Sequence, residues 1–306
     1  MGCPARGRRA GPIGTRRSWG GKDRRVPAGW SLEAVELSDA ADPRLADYVG
    51  LTDPALRVRV EAAGGFFVVE GILAIEQLLA RLDRWDVRSV LLTPKALARL
   101  RPTITGARLA APVLVAPPDV LRATVGFDLH RGAVASVRRP PSFEVADVVS
   151  AARRALLVEA VNDHENLGAL FRAAAAFGVD AVLLDPTTAD PLYRRAVRVS
   201  MGHVLGVPFA RTAPWPGAIV ELRSRGWTVV ALTPAGDEDI ATLAGARRNG
   251  GGGRPVAVAV GAEGPGLSAP ALAAADHRAR IPMAAGVDSL NVATAAAIAL
   301  HRLFEP

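Results

Sequence analysis

The chain has 306 residues, half of them hydrophobic, which is long enough for about two domains with real cores. No stretch approaches the roughly 18 unbroken apolar residues that cross a bilayer, no apolar run suits a secretory signal, and the lone Cys3 excludes an internal disulfide, so a soluble cytoplasmic protein with no membrane partner is expected. The net charge of +7 lies wholly in residues 1–30, where eight basic side chains stand against Asp23.

That first segment contains Gly and Pro and lacks a periodic apolar face, so it reads as a disordered basic tail that attracts polyanions. A solubilising extension or a misassigned start explains the same composition. Residues 31–139 alternate short apolar runs with helical patterns, "GFFVVEG", "AIEQLLARL", "RSVLLTP", "APVLVAPPDVLRA" and "GAVASVRRPP", as a small α/β domain would. Pro140 and Pro141 resist both helix and ladder pairing, which makes residues 140–154 a linker. From 155 to 306 the alternation is more regular, with candidate strands "ALLVEAV", "AVLLD", "VPFAR", "WTVVALT", "PVAVAVGAEG" and "HRARIP". Apolar strands that do not alternate, separated by helices, predict a parallel sheet covered on both faces. The run "NGGGGR", residues 249–254, predicts a flexible loop.

Ligands of parallel α/β sheets bind where the carboxyl ends of strands open into loops. Three such loops are chemically unusual: "NDHENLGALFR" after "ALLVEAV", "GAEGPGLS" after "PVAVAV", and "MAAGVDSLNVATA" after "RARIP". Singly, each has an ordinary explanation: a glycine turn, a helix cap at Ser289 or Asn291, another at Asn166, and a solvated His164. "GAEGPG" is neither G-x-G-x-x-G nor a phosphate loop, which disfavours nucleotide-phosphate binding and with it an NAD-dependent oxidoreductase.

The combination is more specific. Arg172 stands six positions beyond Asn166, "GAEGPGLS" follows, and then "IPM" leads to "SLN" before an alanine-rich helix. This order resembles the three motifs of SpoU/TrmH-type RNA 2′-O-methyltransferases of the SPOUT superfamily, over about residues 155–304. Residues 32–139 resemble the L30e-like RNA-binding domain that many members carry in front, through "FFVVEG" and "HRGAVASVRRP".

The resemblance implies an α/β catalytic domain whose C-terminal segment threads a trefoil knot. It implies S-adenosylmethionine bent in that knot and held largely by backbone groups, and a homodimer that packs the knots together with the first motif reaching toward the partner's cofactor. On this chain the cofactor residues would be Gly261, Glu263, Gly264, Ile281, Met283 and Leu290, the glycines allowing backbone to approach adenine where a Cβ would obstruct. The catalytic set would be Arg172, Asn166, Glu263, Ser289 and Asn291, with no metal.

A ribose 2′-hydroxyl is a poor nucleophile until its proton leaves, so a group must take the proton or stabilise the developing alkoxide. The resemblance assigns this to Arg172, with Ser289 and Asn291 orienting it. A pKa above about 12 makes arginine an awkward base, and both roles stay open. Its neighbours "ALF" and "AAAAF" leave it little polar face, against an ordinary surface arginine. In "PLYRRAVRVSMGH", Arg194, Arg195 and Arg198 are expected to share a face and grip RNA phosphate, a solvated face being the alternative. Glu165 departs from the small residue usual before the motif asparagine, and either repels phosphate or holds an arginine. The function expected is methylation of a ribose 2′-hydroxyl in structured RNA, ribosomal RNA ahead of transfer RNA. The alternative, a non-catalytic RNA-binding protein on the same fold, is opposed by the presence of the whole catalytic set.

Overall fold

The computed structural model of the protein describes residues 31–52, 61, 63–249 and 253–304. The tail expected over residues 1–30 and the glycines at 250–252 lie outside them.

The first unit is a five-stranded sheet in the order β1-β4-β3-β5-β2. Its strands are β1 (Ala34–Glu36), β2 (Phe66–Glu70), β3 (Val87–Leu92), β4 (Val113–Val115) and β5 (Ala133–Arg138). β1, β4 and β3 run parallel, whereas β5 lies antiparallel between β3 and β2. Among the described residues, the helices between later strands are α1 (Ile72–Leu79), α2 (Pro94–Ala107) and α3 (Pro118–Val125). Local chemistry sets their ends. Thr93 Oγ1 accepts from Ala96 N at 3.2 Å ahead of Pro94, and Gly126 at φ 88° stops α3.

The second unit is a seven-stranded, wholly parallel sheet in the order β10-β12-β9-β11-β6-β7-β8. The strands are β6 (Arg154–Val158), β7 (Ala181–Leu184), β8 (Phe209–Arg211), β9 (Thr228–Leu232), β10 (Glu238–Asp239), β11 (Val256–Val260) and β12 (His277–Arg280). The helices are α4 (Val145–Val149), α5 (His164–Ala176), α6 (Arg194–Val199), α7 (Gly217–Ser224), α8 (Ile240–Asn249), α9 (Ala269–Ala274) and α10 (Val292–Phe304). The unbroken apolar strands have a simple cause. On β11, Val256, Val258 and Val260 enter one core while Ala257 and Ala259 enter another on the opposite face.

The stretch read as a linker is packed instead. Residues 140–154 contain α4, whose Val148 and Val149 sit in the core with Ala210 and Ile219, and Phe143 stacks edge-on with both Trp85 and Phe209. The two sheets share a core as a result. An aromatic series runs Phe67, Trp85, Phe143, Phe209, Phe171 at centroid spacings of 5.4, 6.5, 5.4 and 5.7 Å, from β2 to α5. Polar ties flank it. Trp85 Nε1 donates to Leu205 O at 2.9 Å, Arg84 Nη1 to Gly206 O at 3.1 Å, and Arg139 pairs with Asp190 at 2.8 Å.

Candidate active site

Chain order places the opening. β7 and β8 extend from β6 to one side, whereas β11, β9 and β12 lie on the other, so connections diverge at the carboxyl ends of β6 and β11. There a cleft of about 410 Å³ is lined by Leu232, Thr233 and Pro234 after β9, residues 260–264 and Gly266 after β11, Ile281 and Met283 after β12, and residues 289–292 with Ala295. Gly261, Glu263, Gly264, Ile281, Met283 and Leu290 all line it, as do Ser289 and Asn291. Thr233 and Pro234 escaped the sequence reading, although they directly follow "WTVVAL", where the strand-end rule places ligands.

The β11 loop folds on itself. A Cβ on Gly261 would lie 2.1–2.3 Å from backbone atoms of Gly266 and Leu267. Glycine at 261 is therefore required by the loop's own backbone, and not only, as the sequence suggests, for the approach of adenine. Gly264 has φ 85° and open space where a Cβ would stand, so its conformation rather than crowding favours glycine. Gly266 N donates to Ala262 O at 3.0 Å, and Ser268 N donates to Glu159 Oε2 at 2.9 Å, fastening the loop to the end of β6.

Asp163, not Asn166, caps α5, accepting from Asn166 N at 2.8 Å. The Asn166 side chain is thereby free for another task. Its Oδ1 accepts from Asn291 Nδ2 at 2.8 Å, and the same Nδ2 donates to Glu263 Oε1 at 2.9 Å. Asn291 Oδ1 accepts from Ala293 N at 3.0 Å and Thr294 N at 3.2 Å, capping α10. Two backbone donors on that oxygen leave only one orientation for the amide. Residues from all three loops thus meet at Asn291. Asp185, at the end of β7, was not anticipated. Burial pushes its carboxyl up, but hydrogen bonds from Thr187, Thr188 and Ala160 N outweigh this and hold it below the ordinary carboxylate range. It pins Ala160, at φ 55°, where the chain leaves β6 for α5.

Arg172 is placed differently from its partners. Six residues past Asn166, it lies roughly 240° around the helix and 9 Å along it. It is exposed, is not among the residues lining the cleft, and makes no hydrogen bond or ion pair with another described residue. Arg172 is therefore a surface arginine despite its apolar neighbours, because its side of α5 is open to solvent.

The three arginines of α6 do not share a face. Arg194 turns inward, donating to Glu70 Oε2 at 2.7 Å and Leu51 O at 3.0 Å beneath the Phe127 ring, and Glu70 is only 2% exposed. Its donors are committed to the first sheet. Arg195 and Arg198 are exposed. Arg195 Nε and Nη2 donate to Glu165 Oε1 at 2.9 and 2.5 Å, so of the two alternatives for Glu165 it holds an arginine. His164 rests on Tyr193, ring centroids 4.3 Å apart, and burial first, with Arg195 adding, pulls its imidazole below the ordinary value against the pull of Asp190 and Asp163.

A family model described as the SpoU rRNA Methylase family matches residues 153–301. An uncharacterized tRNA/rRNA methyltransferase of Mycobacterium bovis is 44% identical over 275 residues, covering 88% of this chain and 91% of its own. The crystal structure of an S-adenosylmethionine-bound rRNA methyltransferase from Sinorhizobium meliloti has a TM-score of 0.71 at 25% identity, covering 88% of this chain and 97% of that one. A solved RNA 2′-O ribose methyltransferase has a TM-score of 0.66 at 25% identity, covering 88% and 98%. Among the described residues no helix is long and apolar enough to cross a membrane. The cleft fits a cofactor of this kind, with an apolar floor from Val260, Ile281, Met283 and Val292 and a rim of glycine backbone at Gly261, Gly264 and Gly266. This chain, with three loop segments converging on one cleft, belongs to the SpoU family of RNA methyltransferases, which use S-adenosylmethionine.

Proposed function

We propose that the protein methylates a ribose 2′-hydroxyl in structured RNA, ribosomal RNA ahead of transfer RNA. The observation that carries this reading is the Asn166–Asn291–Glu263 junction on the wall of the cleft. S-adenosylmethionine, when bound, supplies an electrophilic methyl group. Gly261, Glu263, Gly264, Ile281, Met283 and Leu290 would hold it, with Glu263, Ser289 and Asn291, and Asn166 behind them through Asn291, shaping the side from which the ribose enters. Arg172 would stabilise the 2′-oxygen as its proton leaves. Arg195 and Arg198 are the phosphate contacts we propose from α6; Arg194 is assigned to the first sheet instead. An L30e-like role in gripping RNA is proposed for the first unit, and a trefoil knot for the segment from β11 through α10. The return of α10 from β12 to pack on α5 and β11 supports the knot.

The position of Arg172 outside its own cleft supports a homodimer in which each arginine serves the other copy's site. Val287, 49% exposed on the loop that carries Ser289 and Leu290, provides apolar surface for such a partner.

Labelled methyl transfer to fractionated RNA, followed by alkaline hydrolysis, tests the chemistry. A 2′-O-methyl removes the nucleophile that cleaves the backbone, so label is expected in alkali-resistant dinucleotides. Label in ordinary mononucleotides would mean base methylation, and no transfer at all would favour the non-catalytic alternative. The cofactor placement has a separate test. Gly264→Val is expected to weaken S-adenosylmethionine binding about tenfold or more, because a branched residue at this positive φ is strained and the residue lines the cleft. Calorimetry beside Gly264→Ala separates strain from obstruction. Equal affinity in the valine variant and the wild type would remove this loop from the cofactor site.

A further inference from the structure

The helices α5 and α6 run side by side in a fixed register. Glu165 meets Arg195 at their N-termini. One turn on, a Cβ added to Gly168 would lie 2.7 Å from Ala196 O and 2.9 Å from Val199 Cβ, so the two backbones are in near contact there. One further turn brings Arg172 opposite the 3-10 turn His203–Leu205 that follows α6, against which α5 also packs. His203 is half-buried in this groove.

The turn is held from the other side by the first unit. Trp85 donates to Leu205 O and Arg84 to Gly206 O. A Cβ at Gly202 would come within 2.7 Å of Ala74 Cα, and one at Gly206 within 2.6 Å of Arg81 Nη2. Arg81 is itself fixed by donating to Gln77 O at 2.9 Å and Gln77 Oε1 at 2.7 Å. Arg81, beside Gly206 at one end of the turn, and Arg172, on the helix packed against the turn, are the charged groups among the described residues that act on the imidazole.

We infer that His203 accepts the proton of the ribose 2′-hydroxyl while Arg172 stabilises the oxygen left behind. The inference rests on the 2′-O reading above and supplies what that reading lacks, a group able to take a proton near neutral pH. The proton passes from the 2′-oxygen to the unprotonated imidazole nitrogen. The 2′-oxygen then uses its freed electron pair to bond the methyl carbon as the carbon–sulfur bond breaks and that bond's pair stays on sulfur. The imidazolium afterwards returns its proton to solvent. Burial, then Arg81 and Arg172, hold His203 below the ordinary histidine value, which keeps the ring neutral and able to accept at pH 7. Arg172 stabilises the negative charge that the departing proton leaves behind.

The test is single-turnover methyl transfer by the full chain at saturating S-adenosylmethionine from pH 5 to 9, joined to an NMR titration of the histidine rings. The wild-type rate is expected to fall toward acid along one limb with a midpoint below about 6.5. His203→Ala should be slower by roughly a hundredfold to ten-thousandfold, lose that limb, and recover in part with added imidazole. His203→Gln, closer in volume, should be equally slow with normal cofactor affinity. By NMR, the His203 ring should titrate below 6.5 and move upward in Arg172→Gln, which removes a neighbouring cation. A wild-type rate without an acid limb, a His203→Gln variant as fast as wild type, or a ring unaffected by Arg172→Gln would each overturn the assignment. If Arg172→Ala is inactive while His203→Gln is not, the 2′-O reading survives and only the proton acceptor is lost. If the wild type itself leaves ribose unmethylated, both fall.

Discussion

Replacing Arg172 with alanine is expected to slow methyl transfer by about a hundredfold to a thousandfold, the scale of removing one donor aimed at a developing oxyanion, while S-adenosylmethionine binds as before. The reason is positional. Arg172 is exposed and lies outside the lining of its own cleft, so its removal leaves the cofactor walls intact. Mixing subunits extends the test. With S-adenosylmethionine held below saturation, Arg172→Ala and Gly264→Val are each expected to be impaired alone, but a mixed dimer would pair one intact cleft with one intact arginine from the other copy. Activity regained on mixing supports service across the dimer. A mixture as inactive as its components means that the arginine works within its own chain, and near-normal turnover by Arg172→Ala removes it from the chemistry.

Deleting residues 1–140 is expected to abolish cooperative folding of the remainder. Sequence patterning alone suggests the opposite, two separable domains joined at Pro140 and Pro141. The deletion would strip Phe67 and Trp85 from Phe143, leave Phe171 and Phe209 without part of their cover, and remove the donors to Leu205 O and Gly206 O. Near-UV circular dichroism and a melting curve decide it: a sharp transition with retained cofactor binding would restore the separable picture. A milder probe of the same junction is Arg194→Ala, which leaves the Glu70 carboxylate, 2% exposed, without its cation. Breaking a buried pair on one side costs about 3–5 kcal/mol. The partial exposure of Arg194 puts this pair toward the lower figure.

The long strands were legible because their patterns are physical consequences of burial on both faces. "PVAVAV" and "ALLV" are unbroken since alternate residues feed two cores. β1 and β10 were not, being three and two residues long, with side chains that are exposed or only partly covered. Those strands exist through pairing with β4 and β12, and a partner distant in sequence leaves no local mark. The cleft was legible as loops with unusual residues at strand ends, but the division of labour within it was not. Asp163 and Asn166 are both good caps, and only the hydrogen bonds tell which one caps. Arg194 and Arg195 are adjacent and chemically identical, yet one faces a buried carboxylate and the other solvent, because α6 lies between the two units with opposite sides in different surroundings.

The shared core also fixes a length. With Phe143 wedged between Trp85 and Phe209, no hinge separates the first sheet from the cleft. In the proposed RNA complex, the point of grip and the point of methyl donation stand a constant span apart. Selection of the target then becomes a measurement made along folded RNA, in the manner of a caliper. Such an instrument is indifferent to which base sits at the measured point, and it is intolerant of one nucleotide inserted or removed between the jaws.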